Sequence, residues 1–339
     1  MRLEGCSNLL ENESPLTLRD VPVPRPAASD ILIRLGACGV CHTELDEIEG
    51  RTAPPRLPVI PGHQAVGTVV ETGVDVKRFR PGDRVGVGWI FSACGNCGFC
   101  LSGRENLCPG FRATGRDADG GYAEYMAVNC EFAYPIPGGY SDAEAAPLLC
   151  AGAIGYRSIR LAELREGSNL GFSGFGASAH LTLKMAMHLH PGMRAFVFAR
   201  SGEEREFGRS LGASWAGDFS DRPPDLLDAI IDTTPAWNPV VRSLAHLRPG
   251  GRLVINAIRK EDADLSALLK LDYPAHLWME KEIKSVANVT RADIGEFLEI
   301  AAGFPLRPQV REYPLEEANR ALAALKSGSV RGAMVLRMG

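Results

Sequence analysis

Up to about residue 135, apolar residues come in short β-branched runs separated by turn residues. ILIRLGACGV (31–40), AVGTVVETG (65–73) and DRVGVGW (83–89) predict strands, with Pro–Gly or Gly–Val–Asp turns between them. Regularly spaced short strands predict a closed or partly closed β-barrel. The texture changes at Ser141. There SDAEAAPLLCAGAIGYRSIRLAEL opens with Ser141 and Glu144 at capping-box spacing and predicts one long apolar helix. From Asn169, strand-like runs (NLGFS, RAFVFA, LLDAIID, RLVINAI) alternate with helical ones (ASAHLTLKMAMHL, REFGRSLG, NPVVRSLAHL). That alternation predicts a doubly wound parallel sheet with helices on its faces. From about Phe304, QVREYPL and GAMVLRM return to the barrel texture. The expected fold class is α/β with a β-barrel: a barrel domain over 1–150, completed by about 304–339, and a doubly wound domain over 151–303.

The 339 residues are 45% hydrophobic and 23% charged, which suits about two domains, each with its own core. A net charge of −4 without basic runs argues against nucleic-acid and anionic-membrane partners. The sequence contains no apolar run long enough to cross a bilayer. The opening segment MRLEGCSNLLENESP lacks a signal-type apolar core, so a reducing, cytoplasmic location is expected.

In that setting the stretch SACGNCGFCLSGRENLC, with Cys94, Cys97, Cys100 and Cys108, reads as a metal site rather than two disulfides. Four thiolates leave no coordination position open, which suits structural zinc; an iron–sulfur cluster takes the same ligands. The compact lobe among Gly95, Gly98 and Gly103 fits zinc better. Such a site staples a loop, so the chemistry must lie elsewhere.

The strand NLGFS runs directly into Gly174-Phe175-Gly176-Ala177-Ser178-Ala179 and then a helix, the G-x-G-x-x-A dinucleotide pattern in its proper context. Gly174 permits the turn, Gly176 lets a pyrophosphate approach the backbone, and Ala179 allows close helix–sheet packing. At the end of the next strand, where a carboxylate would bind the ribose hydroxyls of NAD, stand Ala199, Arg200 and Ser201. A 2′-phosphate meets no repulsion there, and Arg200 with Ser201 suits NADP over NAD. The alternative is that Arg200 is simply a solvated surface arginine.

GVCHTELD (39–46), PGHQAVG (61–67) and PLLCAGAIGY (147–156), with the cysteine lobe and the glycine turn, resemble the zinc-dependent medium-chain alcohol dehydrogenases. The resemblance runs over essentially the whole chain, to GSVRGAMVL. It implies a GroES-like catalytic barrel, a Rossmann domain, two zinc ions per chain and a nicotinamide cofactor. It makes Cys41, His63 and Cys150 the catalytic zinc ligands and the four clustered cysteines the structural ones. Two thiolates and one imidazole leave a fourth position open. Thr43 matches the hydroxyl that takes the alcohol proton, and His42 and Arg331 match groups near the cofactor phosphates. Glu44 stands where the family usually has Asp, as partner of the histidine ligand.

Two departures stand out. Asp46 replaces a histidine that passes the proton to solvent in many members. Gln64 replaces the glutamate of the usual GHE, which leaves the site less negative and any bound zinc a stronger Lewis acid. By the same resemblance Trp89 lines the substrate cleft and Ile258 flanks the nicotinamide, walls that suit primary alcohols and aldehydes, aliphatic or aromatic. Trp89 also reads as barrel core. Zinc-free quinone and enoyl reductases share both folds but lack the Cys/His/Cys set and the lobe. A nucleotide-binding protein of this fold without turnover is a further alternative. The family forms dimers and tetramers, so a homo-oligomer is expected.

Overall fold

The structure is a computed structural model. It describes every residue except Pro305, Ser329, Val330 and Arg331, and the side chain of Ala177. The chain forms two compact units, Met1–Ala153 with Val289–Gly339, and Ile154–Asn288.

In the first unit the strand Asp30–Val40 is the hub. It pairs antiparallel with Ala65–Thr72, Tyr125–Asn129 and Ala333–Arg337. Register shifts at Leu32/Ile33 and Leu35/Ala37 bend it, so that one strand serves several partners. Arg84–Val87, Ala133–Pro135 and Val310–Pro314 complete the seven-stranded sheet. Its buried side chains, Ile31, Ile33, Val69, Val85, Val87 and Val128 among them, form one core. The strands expected over 31–40, 65–73 and 83–89 are thus present, and they carry the GroES-like barrel. The sequence reading extended the doubly wound array to residue 303. Instead the helix Arg291–Gly303 packs with the barrel: Phe297 fills the space beside Gly152, and Tyr140 donates to the Ala301 carbonyl at 3.0 Å.

The single long helix expected after Ser141 is broken. Its capping box forms as read, with Ser141 Oγ accepting from Glu144 N–H and the Glu144 carboxylate accepting from Ser141 N–H at 2.8 Å. Asp142–Ala145 is α-helical, Ala146–Leu149 is a 3₁₀ turn containing Pro147, and Ala151–Ala162 is a second helix. Between them Cys150 has non-helical dihedrals, φ −124° and ψ −79°. Proline lacks the N–H that would continue the ladder, so the chain tightens and re-aims at the cysteine.

The second unit is a parallel six-stranded sheet in the order Trp215–Gly217, Arg194–Phe198, Asn169–Ser173, Leu227–Asp232, Leu247–Ile255, Glu282–Ser285. Strand order reverses beside Asn169–Ser173, which marks the crevice at the carboxyl ends of the strands as the ligand position of a Rossmann sheet.

Candidate metal centres and dinucleotide turn

Cys41 follows the hub strand directly and caps the helix His42–Ile48. That helix start builds half of a site, because its third residue, Glu44, folds back to accept the Cys41 N–H at 2.8 Å. The other oxygen of Glu44 accepts the His63 N–H at 3.2 Å and pairs with His63 Nδ1. His63 follows Gly62, whose φ of +101° suits glycine, and a Cβ there would lie 2.4 Å from Tyr122. With Nδ1 taken, the ring's remaining nitrogen meets the Cys41 thiol. The ligand atoms of Cys41, His63 and Cys150 lie within 4.8 Å of one another.

The electrostatics of this cluster fit a cation. The Cys41 thiol is pushed well below the ordinary thiol range by its hydrogen bond with Cys150 and by the imidazole, while Cys150 is pushed up by the same sharing and by burial. That asymmetry favours the thiolate at Cys41, the ionised form that a divalent ion binds. A donor set of two sulfurs and one imidazole, with a carboxylate fixing the imidazole, suits zinc with an open fourth position.

Around the cluster, Trp89 stands edge-on to His63 with ring centroids 5.1 Å apart. Thr43 is buried with Oγ1 3.8 Å from Cys41 Sγ. Gln64 is buried beside Gly39, where a Cβ would lie 2.4 Å from Gln64 Oε1. His42 is exposed at the helix start. Asp46 is buried and ion-paired with Arg51, a partner the sequence reading did not foresee.

Sequence reasoning also missed Glu47. It is buried, its Oε1 has no hydrogen-bond partner among the described residues, and burial together with Glu44 pushes its carboxyl up to about 9. Its signal was present in the acidic run ELDEIE, which reads more naturally as a solvated helix face.

Cys94, Cys97, Cys100 and Cys108 also bring their sulfurs within 4.8 Å of one another. All nine cysteines are free thiols. Backbone N–H groups of Cys94 and Gly110 point at Cys108 Sγ at 3.4 and 3.3 Å. N–H groups of Asn96 and Cys97 bring Cys94 down to about 6. A lobe that aims donors at sulfur is built for thiolates, as a four-sulfur zinc site requires. Glu105 in this lobe accepts the Arg291 backbone N–H at 2.6 Å, which ties the lobe to the helix Arg291–Gly303.

In the second unit, Gly174 follows the strand Asn169–Ser173 with φ +83°, and its N–H donates to Phe198 at 2.9 Å. Gly176 caps the helix Ala177–Leu189 and faces open space, while Ala179 is buried against the sheet. The turn therefore offers helix N–H groups without a side chain in front of them, as a pyrophosphate needs. Arg200 is exposed, and Ser201 caps the helix Gly202–Ser210 by accepting from Glu204 N–H at 3.0 Å. Arg205, absent from the sequence reading, donates to the Ala199 and Arg200 carbonyls at 2.9 and 2.8 Å and so fixes this strand end. Ile258 is exposed beyond the strand Leu247–Ile255. Arg331 lies outside the described residues. No described helix is long and apolar enough to cross a membrane.

Residues 27–138 match the alcohol dehydrogenase GroES-like domain family, and residues 214–336 the zinc-binding dehydrogenase family. The chain is 46% identical over 327 residues to a probable alcohol dehydrogenase AdhA of Mycobacterium tuberculosis, covering 95% of this chain and 92% of that one. It is 32% identical over 339 residues to an alcohol dehydrogenase of Geobacillus stearothermophilus, covering 97% of each. Among solved structures it resembles a cinnamyl alcohol dehydrogenase of Sorghum bicolor, with a TM-score of 0.82, 26% identity, and coverage of 99% of this chain and 97% of that one. A barrel bearing a Cys/His/Cys cluster and a four-cysteine lobe, a Rossmann sheet with its glycine turn, and these matches along nearly the full length place the chain in the zinc-type medium-chain alcohol dehydrogenase family.

Proposed function

We propose that this alcohol dehydrogenase is zinc-dependent and prefers NADP, interconverting primary alcohols, aliphatic or aromatic, and their aldehydes. The meeting of Cys41, His63 and Cys150, with the imidazole fixed by Glu44, carries this reading. When bound at these residues, zinc supplies a Lewis acid that stabilises negative charge on the substrate oxygen. Thr43, beside Cys41, takes the alcohol proton. Asp46, ion-paired with Arg51, takes the place of the histidine that passes the proton to solvent in many members of the family. Trp89 supplies an apolar wall at His63, and Ile258 one for the nicotinamide. Gln64, uncharged, leaves the surroundings of the metal ligands less negative than a glutamate there would. A second zinc, on Cys94, Cys97, Cys100 and Cys108, holds the lobe.

The NADP preference rests on the strand end at Ala199–Ser201, which offers a guanidinium and no carboxylate. Gly174, Gly176 and Ala179 take the pyrophosphate, and His42 and Arg331 assist at the phosphates. A homo-oligomer is supported by the free edge of the Rossmann sheet. The edge strand Glu282–Ser285 is exposed throughout, and Glu282 is ion-paired with Arg252 of the neighbouring strand. Antiparallel pairing of two copies about Ile283 sets Glu282 of each against Lys284 of the other. The nine free thiols suit the cytoplasm.

The test of this function is a panel of primary alcohols and aldehydes assayed with NADP and NAD in parallel. Turnover with NADP at the higher kcat/KM is expected. Failure of zinc-loaded protein to oxidise any of them would refute it.

A further inference from the structure

Behind the glycine turn lies a buried ion pair that no step above uses. Asp232, the last residue of the strand Leu227–Asp232, is fully buried, and the Lys260 side chain paired with it is only 8% exposed. Both carboxylate oxygens and all three ammonium protons are engaged. One Asp232 oxygen accepts from Ser173 Oγ at 2.7 Å and Thr234 Oγ1 at 2.8 Å, and the other accepts from Lys260. The Lys260 ammonium spends its remaining protons on the carbonyls of Thr234 at 2.7 Å and Ala236 at 3.1 Å.

These contacts join three strand ends. Ser173 immediately precedes Gly174. Thr233 donates its N–H to the Ser173 carbonyl at 2.9 Å, and its hydroxyl lies 3.3 Å from the Gly174 carbonyl. The Thr234 methyl would sit 2.8 Å from a Cβ on Gly174, so the 232–236 loop is the floor on which the turn folds. From the other side, Asn256 and Glu261 N–H groups reach the Asp232 and Pro235 carbonyls, both at 2.7 Å, and bring Ile258 into the same stitched segment. A buried ion pair is weak evidence for stability, because desolvation offsets most of its attraction. What it supplies is direction: three ammonium protons can be satisfied together in few arrangements.

We propose that Lys260 and Asp232 are positioning residues for the dinucleotide, a polar latch that fixes the 232–236 loop beneath the glycine turn and holds the segment of Ile258 against it. This deepens the cofactor reading above and rests on it.

The test uses the full-length Asp232→Asn/Lys260→Met double variant, which removes both charges at similar volume. Dissociation constants for NADPH and NADH are measured by fluorescence titration, beside melting temperature and steady-state kinetics. Both dinucleotides are expected to bind about tenfold more weakly or worse, with cofactor KM raised and kcat at saturating cofactor kept within about threefold, because the latch shapes the turn and touches no reacting atom. A purely structural role would lower the melting temperature and leave the affinities within about twofold, which would overturn the proposal; so would a fall in kcat alone. Should the double variant not fold, Ser173→Ala removes one bond to Asp232 and leaves both charges. It is expected to weaken both dinucleotides about threefold or more, and unchanged affinity there would equally overturn the latch. If the unmutated protein bound neither dinucleotide, the cofactor reading itself would fail.

Discussion

Glu44 holds His63 at two points, accepting the backbone N–H at 3.2 Å and pairing with Nδ1 of the ring, while its second oxygen holds the Cys41 N–H at 2.8 Å. One carboxylate therefore orients two of the three candidate metal ligands. Replacing it with an amide places a second donor group against the N–H of Cys41 or the ring. Glu44→Gln is expected to weaken zinc binding at this site by about 10- to 100-fold with the fold intact. Chelator competition on the purified variant measures this, and unchanged affinity would show that Glu44 does not orient the ligands.

The cofactor assignment turns on Arg200. If its guanidinium meets a 2′-phosphate, Arg200→Asp removes a charge-assisted bond and adds repulsion, costing NADP binding roughly 2–4 kcal/mol. NAD affinity should hardly change. Equal use of both dinucleotides before and after the substitution would contradict the assignment.

Residues whose chemistry is distinctive in themselves were legible from sequence. The cysteine spacings, Gly-His after a turn, and glycines directly behind a strand each signal one job, and the structure brings each set together. Partnerships made by tertiary folding were not legible. Arg51 meets Asp46 after the reversal at Gly50, whose φ is +77°. Lys260 meets Asp232 across two strand ends. Neither spacing is a helical or strand repeat. The break at Cys150 had a signal that the apolar run obscures: Pro147, the sixth residue from the expected helix start at Asp142, cannot donate to the ladder. The change to a 3₁₀ turn shows only once the chain must aim the thiol.

Acid should reveal the role of Glu49, which clamps the barrel unit near its N-terminal segment. Burial favours its neutral form, but hydrogen bonds from Lys326, the Leu9 N–H and Arg51 outweigh this and bring the carboxyl down to about 2. Because the folded value lies below the unfolded one of about 4.3, its contribution is complete above about pH 5 and is lost as pH falls toward 2. Glu49→Gln should be less stable at pH 7 by about 1–2 kcal/mol, allowing for solvent screening of its partly exposed partners. The difference from the unmutated protein should shrink between pH 5 and pH 3. Urea midpoints at both ends of that range test it, and a difference independent of pH would contradict it.

The central claim, that two cysteine-built sites hold zinc for different purposes, is tested most directly by elemental zinc content per chain in three proteins. The unmutated chain should carry two zinc ions. Cys150→Ser should carry about one, with an unchanged melting temperature and no alcohol oxidation, because the lobe keeps its metal. Cys97→Ser should melt lower, since binding energy at a closed site is folding energy. Zinc absent from the unmutated protein, or the same loss of metal and stability in both variants, would contradict the account.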